Sequence, residues 1–171
     1  MKIRKVTDDN LAKATALLRK AFPGSTYEAD LVAALHASGR QVHDWICIHT
    51  NKAIAYIAFT TAYRGDAACG LHLAPMAVAP EFQKQGIGAE ILRFALRQEP
   101  IRNQPLFVLG PPGYYTRFGF TPCPVPICPF DPGNSHFLSQ NNPFSERFTI
   151  GYEPEFRSVG KPARPQGKKR K

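Results

Sequence analysis

Between Val78 and Ala89 the chain reads Val-Ala-Pro-Glu-Phe-Gln-Lys-Gln-Gly-Ile-Gly-Ala. The apolar run from Leu71 to Val78 predicts a strand, and Ile87, Ile91, Leu92 and Ala95 recur at helical spacing within 86–98. Gln83, Lys84, Gln85, Gly86, Ile87, Gly88 and Ala89 then form a turn that opens a helix. Backbone N–H groups at a helix start lack intrahelical acceptors and lie at the positive end of the helix dipole, which suits them to an anion such as phosphate. Gly86 and Gly88 carry no Cβ, so a pyrophosphate could approach the main chain closely.

Other residues offer chemistry with a bland alternative beside each. Tyr115 presents a phenol that could donate a proton, or simply pack with Tyr114, Phe118 and Phe120. His72, on the strand entering the glycine turn, could be a base or a structural imidazole. Glu81 is the nearby carboxyl, but its place beside the phosphate-binding turn suits it poorly to take up a proton. Cys123, Cys128 and His136 lack a Cys-x-x-Cys pair and a fourth ligand, so buried thiols are expected and no metal. Nothing in the sequence converges on Cys69 to activate it.

These residues must be positioned by a fold that 171 residues can build as one domain with a sizeable core. Residues 1–155 are read as that domain and 156–171 as a basic, disordered tail. The formal charge of +9 is concentrated there: residues 161–171 hold six basic residues and no acid. The tail admits three readings: a solubilising end, a contact for anionic surfaces such as RNA, or a screening partner for cofactor phosphates. No apolar run approaches the roughly 20 residues of a membrane span. The first residues lack the apolar stretch of a signal peptide, and four unpaired-looking cysteines fit a reducing compartment, so a cytoplasmic protein is expected.

Local patterns predict a strand at 3–6, then a helix through Leu11, Ala14, Leu18 and Ala21 capped by Thr7 or Asp8. Ser25 and Glu28 have capping-box spacing for a second helix ending at Ser38-Gly39. Strands are expected at 45–49 and 53–60 around a short turn, and again at 105–109. Six prolines between Thr121 and Pro143 predict an irregular excursion over 121–145, without a long helix or a central strand, before a last strand near 148–152. Hairpins followed by a strand–helix–strand crossover imply an α/β fold with a mixed sheet.

Two blocks together resemble the GNAT N-acetyltransferase superfamily: Val78-x-Pro80-x-x-Gln83-x-x-Gly86-Ile87-Gly88, and Tyr114-Tyr115-Thr116-Arg117-Phe118-Gly119-Phe120. The run Val108 to Phe120 is similar to its YhbS-like branch, except that Pro111 stands where Asp often precedes the proline. The resemblance implies a mostly antiparallel central sheet with helices on both faces and splayed fourth and fifth strands. It implies acetyl-coenzyme A as cosubstrate, held by the backbone of Met76, Ala77 and Val78 and by the turn from Gln83 to Ala89. It also implies transfer of an acetyl group to a primary amine by direct attack in a ternary complex, with Tyr115 as general acid and His72 as a possible base. The acceptor would be a small molecule or a peptide; the oligomeric state is open. Pro75, unable to donate to a ladder, fits independently at a bulge that opens such a cleft. A phenol of pKa about 10 is uphill of a thiol near 8.5 by about 2 kcal/mol, which a positioned hydrogen bond can offset. Two rivals are a non-catalytic acyl-coenzyme A-binding module and a nucleic-acid-associated protein acting through the tail.

Overall fold

A computed structural model of the protein describes residues 1–160, so the expectation of disorder over 161–171 lies outside the described residues. Seven strands form one sheet in the order β1-β2-β3-β4-β5-β7-β6: β1 Lys2–Lys5, β2 Val42–His49, β3 Lys52–Arg64, β4 Ala67–Val78, β5 Leu106–Leu109, β6 Thr121–Pro122 and β7 Phe137–Gln140. Five helices accompany them: α1 Leu11–Ala21, α2 Tyr27–Ala37, α3 Ile87–Leu96, α4 Pro112–Tyr115 and α5 Glu155–Ser158. Two-residue connections, Thr50-Asn51 and Gly65-Asp66, join β2 to β3 and β3 to β4, which only antiparallel neighbours permit. Thr50 and Asn51 both adopt positive φ, 51° and 63°, as a tight hairpin turn that follows strand twist requires. No described helix is long and apolar enough to cross a membrane.

Two compact units are drawn from separate chain segments, where the sequence predicts one domain over 1–155. The first comprises Met1–Ala58, Pro75–Ala95 and the described residues from Pro154 on. Its edge strand β1 pairs antiparallel with β2, Ile3 opposite Cys47, and exposes Lys2, Arg4 and Lys5, charges that discourage edge-to-edge association. Helix α1 buries Ala14, Leu17 and Leu18. Its expected cap is corrected: Asn10 stands at the N-cap, its Oδ1 accepting the Thr7 N–H at 2.8 Å and its Nδ2 donating to the Lys5 carbonyl at 3.2 Å. Ahead of α2, Ser25 Oγ accepts the Tyr27 N–H and donates to Glu28, so the predicted spacing is used one residue early, with Thr26 at the cap. Residues 156–158, expected in the tail, are helical: Phe156 is buried and its carbonyl accepts the Tyr27 hydroxyl at 2.7 Å.

The second unit comprises Phe59–Ala74 and Leu96–Glu153. In it β4 and β5 run parallel, with Leu71, His72 and Leu73 opposite Leu106, Phe107 and Val108. The proline-rich excursion over 121–145 does hold a central strand, contrary to the expectation from its prolines. Its proline-free stretch supplies β7, which pairs antiparallel with β5 on one side and β6 on the other and is therefore central. Pro122 sits on β6, the last strand in the order, where a missing N–H is tolerated. The strand expected at 148–152 reduces to single bridges, Ile127 with Thr149 and Tyr63 with Gly151. Ala62, Phe107, Cys123, Cys128, Phe137 and Ile150 form the core of this unit.

Candidate functional site

The glycine turn lies in the first unit. The β4–β5 ladder registers residues only as far as Leu73, while β4 continues through Pro75 to Met76, Ala77 and Val78. A single 3-10 turn, Pro80–Phe82, follows, and Ala79 N–H donates to the Ile54 carbonyl at 2.8 Å, fixing where the chain leaves the sheet. Side-chain amides then fold the turn back on itself. Gln83 Nε2 donates to the Val78 carbonyl at 3.0 Å, and Gln85 Nε2 to the Glu81 carbonyl at 3.2 Å. Lys84 and Gly86 adopt left-handed φ of 64° and 84°. A Cβ at Gly86 would meet no atom within 4 Å, so what favours glycine there is its φ, and the space above it is open.

Among the described residues, no protein group accepts the amide N–H of Lys84, Gln85, Gly86, Ile87, Gly88 or Ala89. Residues 83–86 are exposed, and the first hydrogen bond of α3 runs from Glu90 N–H to the Gly86 carbonyl. Six neighbouring donors without acceptors at the start of a helix fit a multiply charged phosphate group. Gln83 has a second use, since its side chain ties the turn to β4.

Tyr115 belongs to the second unit, at the end of α4. Pro111 occupies the N-cap without a side-chain hydrogen bond, and its carbonyl accepts both Tyr114 and Tyr115 N–H at 3.1 and 3.3 Å. The missing capping side chain is thus made good by the backbone. The ring packs edge-on against Tyr114 and Phe120, with centroids 5.0 and 5.9 Å apart. No described residue accepts the Tyr115 hydroxyl, and burial, then the neighbouring Tyr114, push its pKa up to about 12. Sequence reasoning passed over Gly110. A Cβ there would stand 2.6 Å from Tyr115 Cε2, so this glycine makes room for the ring. Nothing local to the sequence signals that approach.

His72 is 1% exposed and lies face to face with Tyr152, ring centroids 3.6 Å apart. The Gly151 carbonyl accepts its Nε2–H at 2.9 Å, leaving Nδ1 as the unprotonated nitrogen, buried without a partner. Burial lowers its pKa to about 4. An imidazole with a pKa of about 4 is in its base form at pH 7 but binds a proton weakly, and its free Nδ1 meets no described polar group, so this environment lends no support to the base role expected of it.

Residues 41–122, which include the glycine turn and Tyr115, match the family described as acetyltransferase (GNAT) domain. Over 110 residues the chain is 39% identical to the "Uncharacterized N-acetyltransferase YjhQ" of Escherichia coli strain K12, a match spanning 61% of this chain and 60% of that relative. Its structure is similar to a GNAT family acetyltransferase from Brucella melitensis solved with acetyl-coenzyme A, at 26% identity and a TM-score of 0.74, covering 91% of this chain and 97% of the other. Escherichia coli YhbS, solved with coenzyme A, shares the fold at a TM-score of 0.81 and 24% identity, over 93% of each chain.

Proposed function

We propose that this chain, whose residues 41–122 match the acetyltransferase (GNAT) domain and whose fold is that of a GNAT acetyltransferase solved with acetyl-coenzyme A, transfers the acetyl group of acetyl-coenzyme A to a primary amine. The observation that carries the reading is the row of amide N–H groups from Lys84 to Ala89 that no described protein group engages. In the proposal these donors hold the diphosphate, the backbone of Met76, Ala77 and Val78 bonds the pantetheine arm, and an amide near Met76 or Ala77 faces the developing oxyanion. The bound coenzyme supplies an acetyl group activated as a thioester, which the amine attacks directly. The Brucella melitensis relative is described in complex with acetyl-coenzyme A, which supports the same cosubstrate here.

Tyr115 carries the acid role. With a pKa near 12 its Oη keeps its proton throughout the physiological range. Against a thiol near 8.5 that value makes full proton transfer uphill by about 5 kcal/mol, more than for an unperturbed phenol. The hydroxyl therefore acts by donating a hydrogen bond to sulfur as charge builds there. No base role falls to His72, so the acceptor reacts as the neutral amine and its proton passes to water. A lysine-like amine is neutral in only about one molecule in 2,500 at pH 7, and turnover should rise with pH through the acceptor's own pKa.

The test is thiol release from acetyl-coenzyme A across a panel of amines. Tyr115→Phe is expected to lower kcat about a hundredfold while leaving the KM for acetyl-coenzyme A unchanged. Equal turnover by the phenylalanine variant would remove Tyr115 from the chemistry. Silence across small and peptide amines, with acetyl-coenzyme A still bound, would move the reading to an acyl-coenzyme A-binding module.

A further inference from the structure

On the second unit an open cavity of about 480 Å3 is lined by Leu109, Gly110, Pro111 and Phe130, with Asp131 and His136 as its ionisable residues. Leu109 is 40% and Phe130 43% exposed, and with Met1 they are the large hydrophobic residues left exposed among the described residues. Two of those three therefore line one cavity, the arrangement expected where an apolar ligand will cover them.

The cavity adjoins Tyr115 through Gly110, whose missing side chain is what lets the Tyr115 ring edge lie against this stretch of backbone. Hydrogen bonds fix the polar side of the lining. Gly110 N–H donates to the His136 carbonyl at 3.0 Å, His136 N–H to Asp131 Oδ2 at 2.8 Å, and Ser135 Oγ to Asp131 Oδ1 at 3.2 Å. A carboxylate offers about four acceptor positions, so two remain on Asp131 for an incoming cation. A negative charge held beside an apolar surface favours an ammonium and disfavours a second carboxylate.

We infer that this cavity is the acceptor pocket, and that it takes a primary amine built on an apolar or aromatic body without a carboxylate. The inference rests on the acetyltransferase reading for its chemistry, while the binding it requires can be measured separately.

The experiment uses the full chain with phenethylamine and phenylalanine, which share a ring and differ by the carboxylate. Binding is followed through the amide signals of Gly110 and His136, and turnover through thiol release. Phenethylamine is expected to shift both signals and to bind at least about tenfold more tightly than phenylalanine. Asp131→Asn should narrow that ratio, and Phe130→Ala or Leu109→Ser should raise the KM for phenethylamine about tenfold with the KM for acetyl-coenzyme A unchanged. Equal handling of the two compounds, shifts confined to other parts of the chain, or pocket variants with unaltered KM overturn the pocket assignment even if acetyl transfer occurs. Binding in the pocket, with silence across the whole amine panel, supports it as an amine-binding site and overturns the acetyltransferase reading, and with it the acceptor role.

Discussion

Two imidazoles, His36 half-buried and His72 buried, pull stability in opposite directions with pH. Asp44 is fully buried, and its Oδ2 accepts the Tyr56 hydroxyl at 2.8 Å and His36 Nε2 at 2.7 Å. That hydrogen bond, despite the opposing effect of burial, raises the His36 pKa above its ordinary 6.5. A raised folded-state value contributes stability that is complete below pH 6.5 and fades as pH climbs through the folded pKa. His72 is the reverse case, since its folded value of about 4 makes the unfolded chain the better proton binder. Stability is then complete above pH 6.5 and falls on acidification to pH 4, by about 3 kcal/mol from this group. Urea unfolding at half-unit steps from pH 4 to 8.5 separates the two. His72→Phe keeps an aromatic ring against Tyr152 and should flatten the acid limb; His36→Gln should flatten the fall above pH 6.5. An acid limb unchanged in His72→Phe would show that His72 does not titrate as its burial demands.

Short elements hold the site, and what was legible in them depended on how local their determinants were. Helix α3 and the turn before it could be read directly, because apolar spacing, glycine placement and an exposed helix start are properties of consecutive residues. Strand β7 could not: Pro132 and Pro143 flank it, and what makes it a strand is pairing with β5, distant in sequence. The cavity beside Tyr115 was equally hidden, since Leu109 and Phe130 look like ordinary core residues until the backbone leaves them exposed. Helix α4 has four residues and little stability of its own, so the aim of Tyr115 depends on its packing and on Gly110. A methyl group at Gly110 must displace the Tyr115 ring, the movable partner in that 2.6 Å approach. Gly110→Ala is therefore expected to cut kcat about tenfold with little change in the KM for acetyl-coenzyme A. Combined with Tyr115→Phe, it should cost far less than the product of the two single effects, because both act through one hydroxyl. Multiplicative losses would mean that Gly110 matters for something other than Tyr115.

Across the whole chain the sequence located the charge where the fold could not. Six of the nine net positive charges lie in residues 161–171, beyond the helix that ends at Ser158, so residues 1–160 carry a modest excess. Strongly basic character thus belongs to a segment that follows the glycine turn, Tyr115 and the cavity-lining residues in sequence. Removing 161–171 should leave the thermal midpoint and the kcat for thiol release unchanged, because no group described at the site is lost. Affinity for an anionic polymer should behave otherwise. If the segment's cations contact phosphates, deleting six of them lowers the slope of log affinity against log salt for single-stranded RNA by up to about four. Measuring binding of a labelled oligonucleotide from low to moderate salt, for the full and shortened chains, gives that slope directly. A shortened chain with an unaltered slope would assign the segment no role in anion contact. One that loses thiol release at moderate salt while still binding acetyl-coenzyme A would place these charges within the catalytic cycle, and residues 1–160 would then be too little of the chain to account for the reaction.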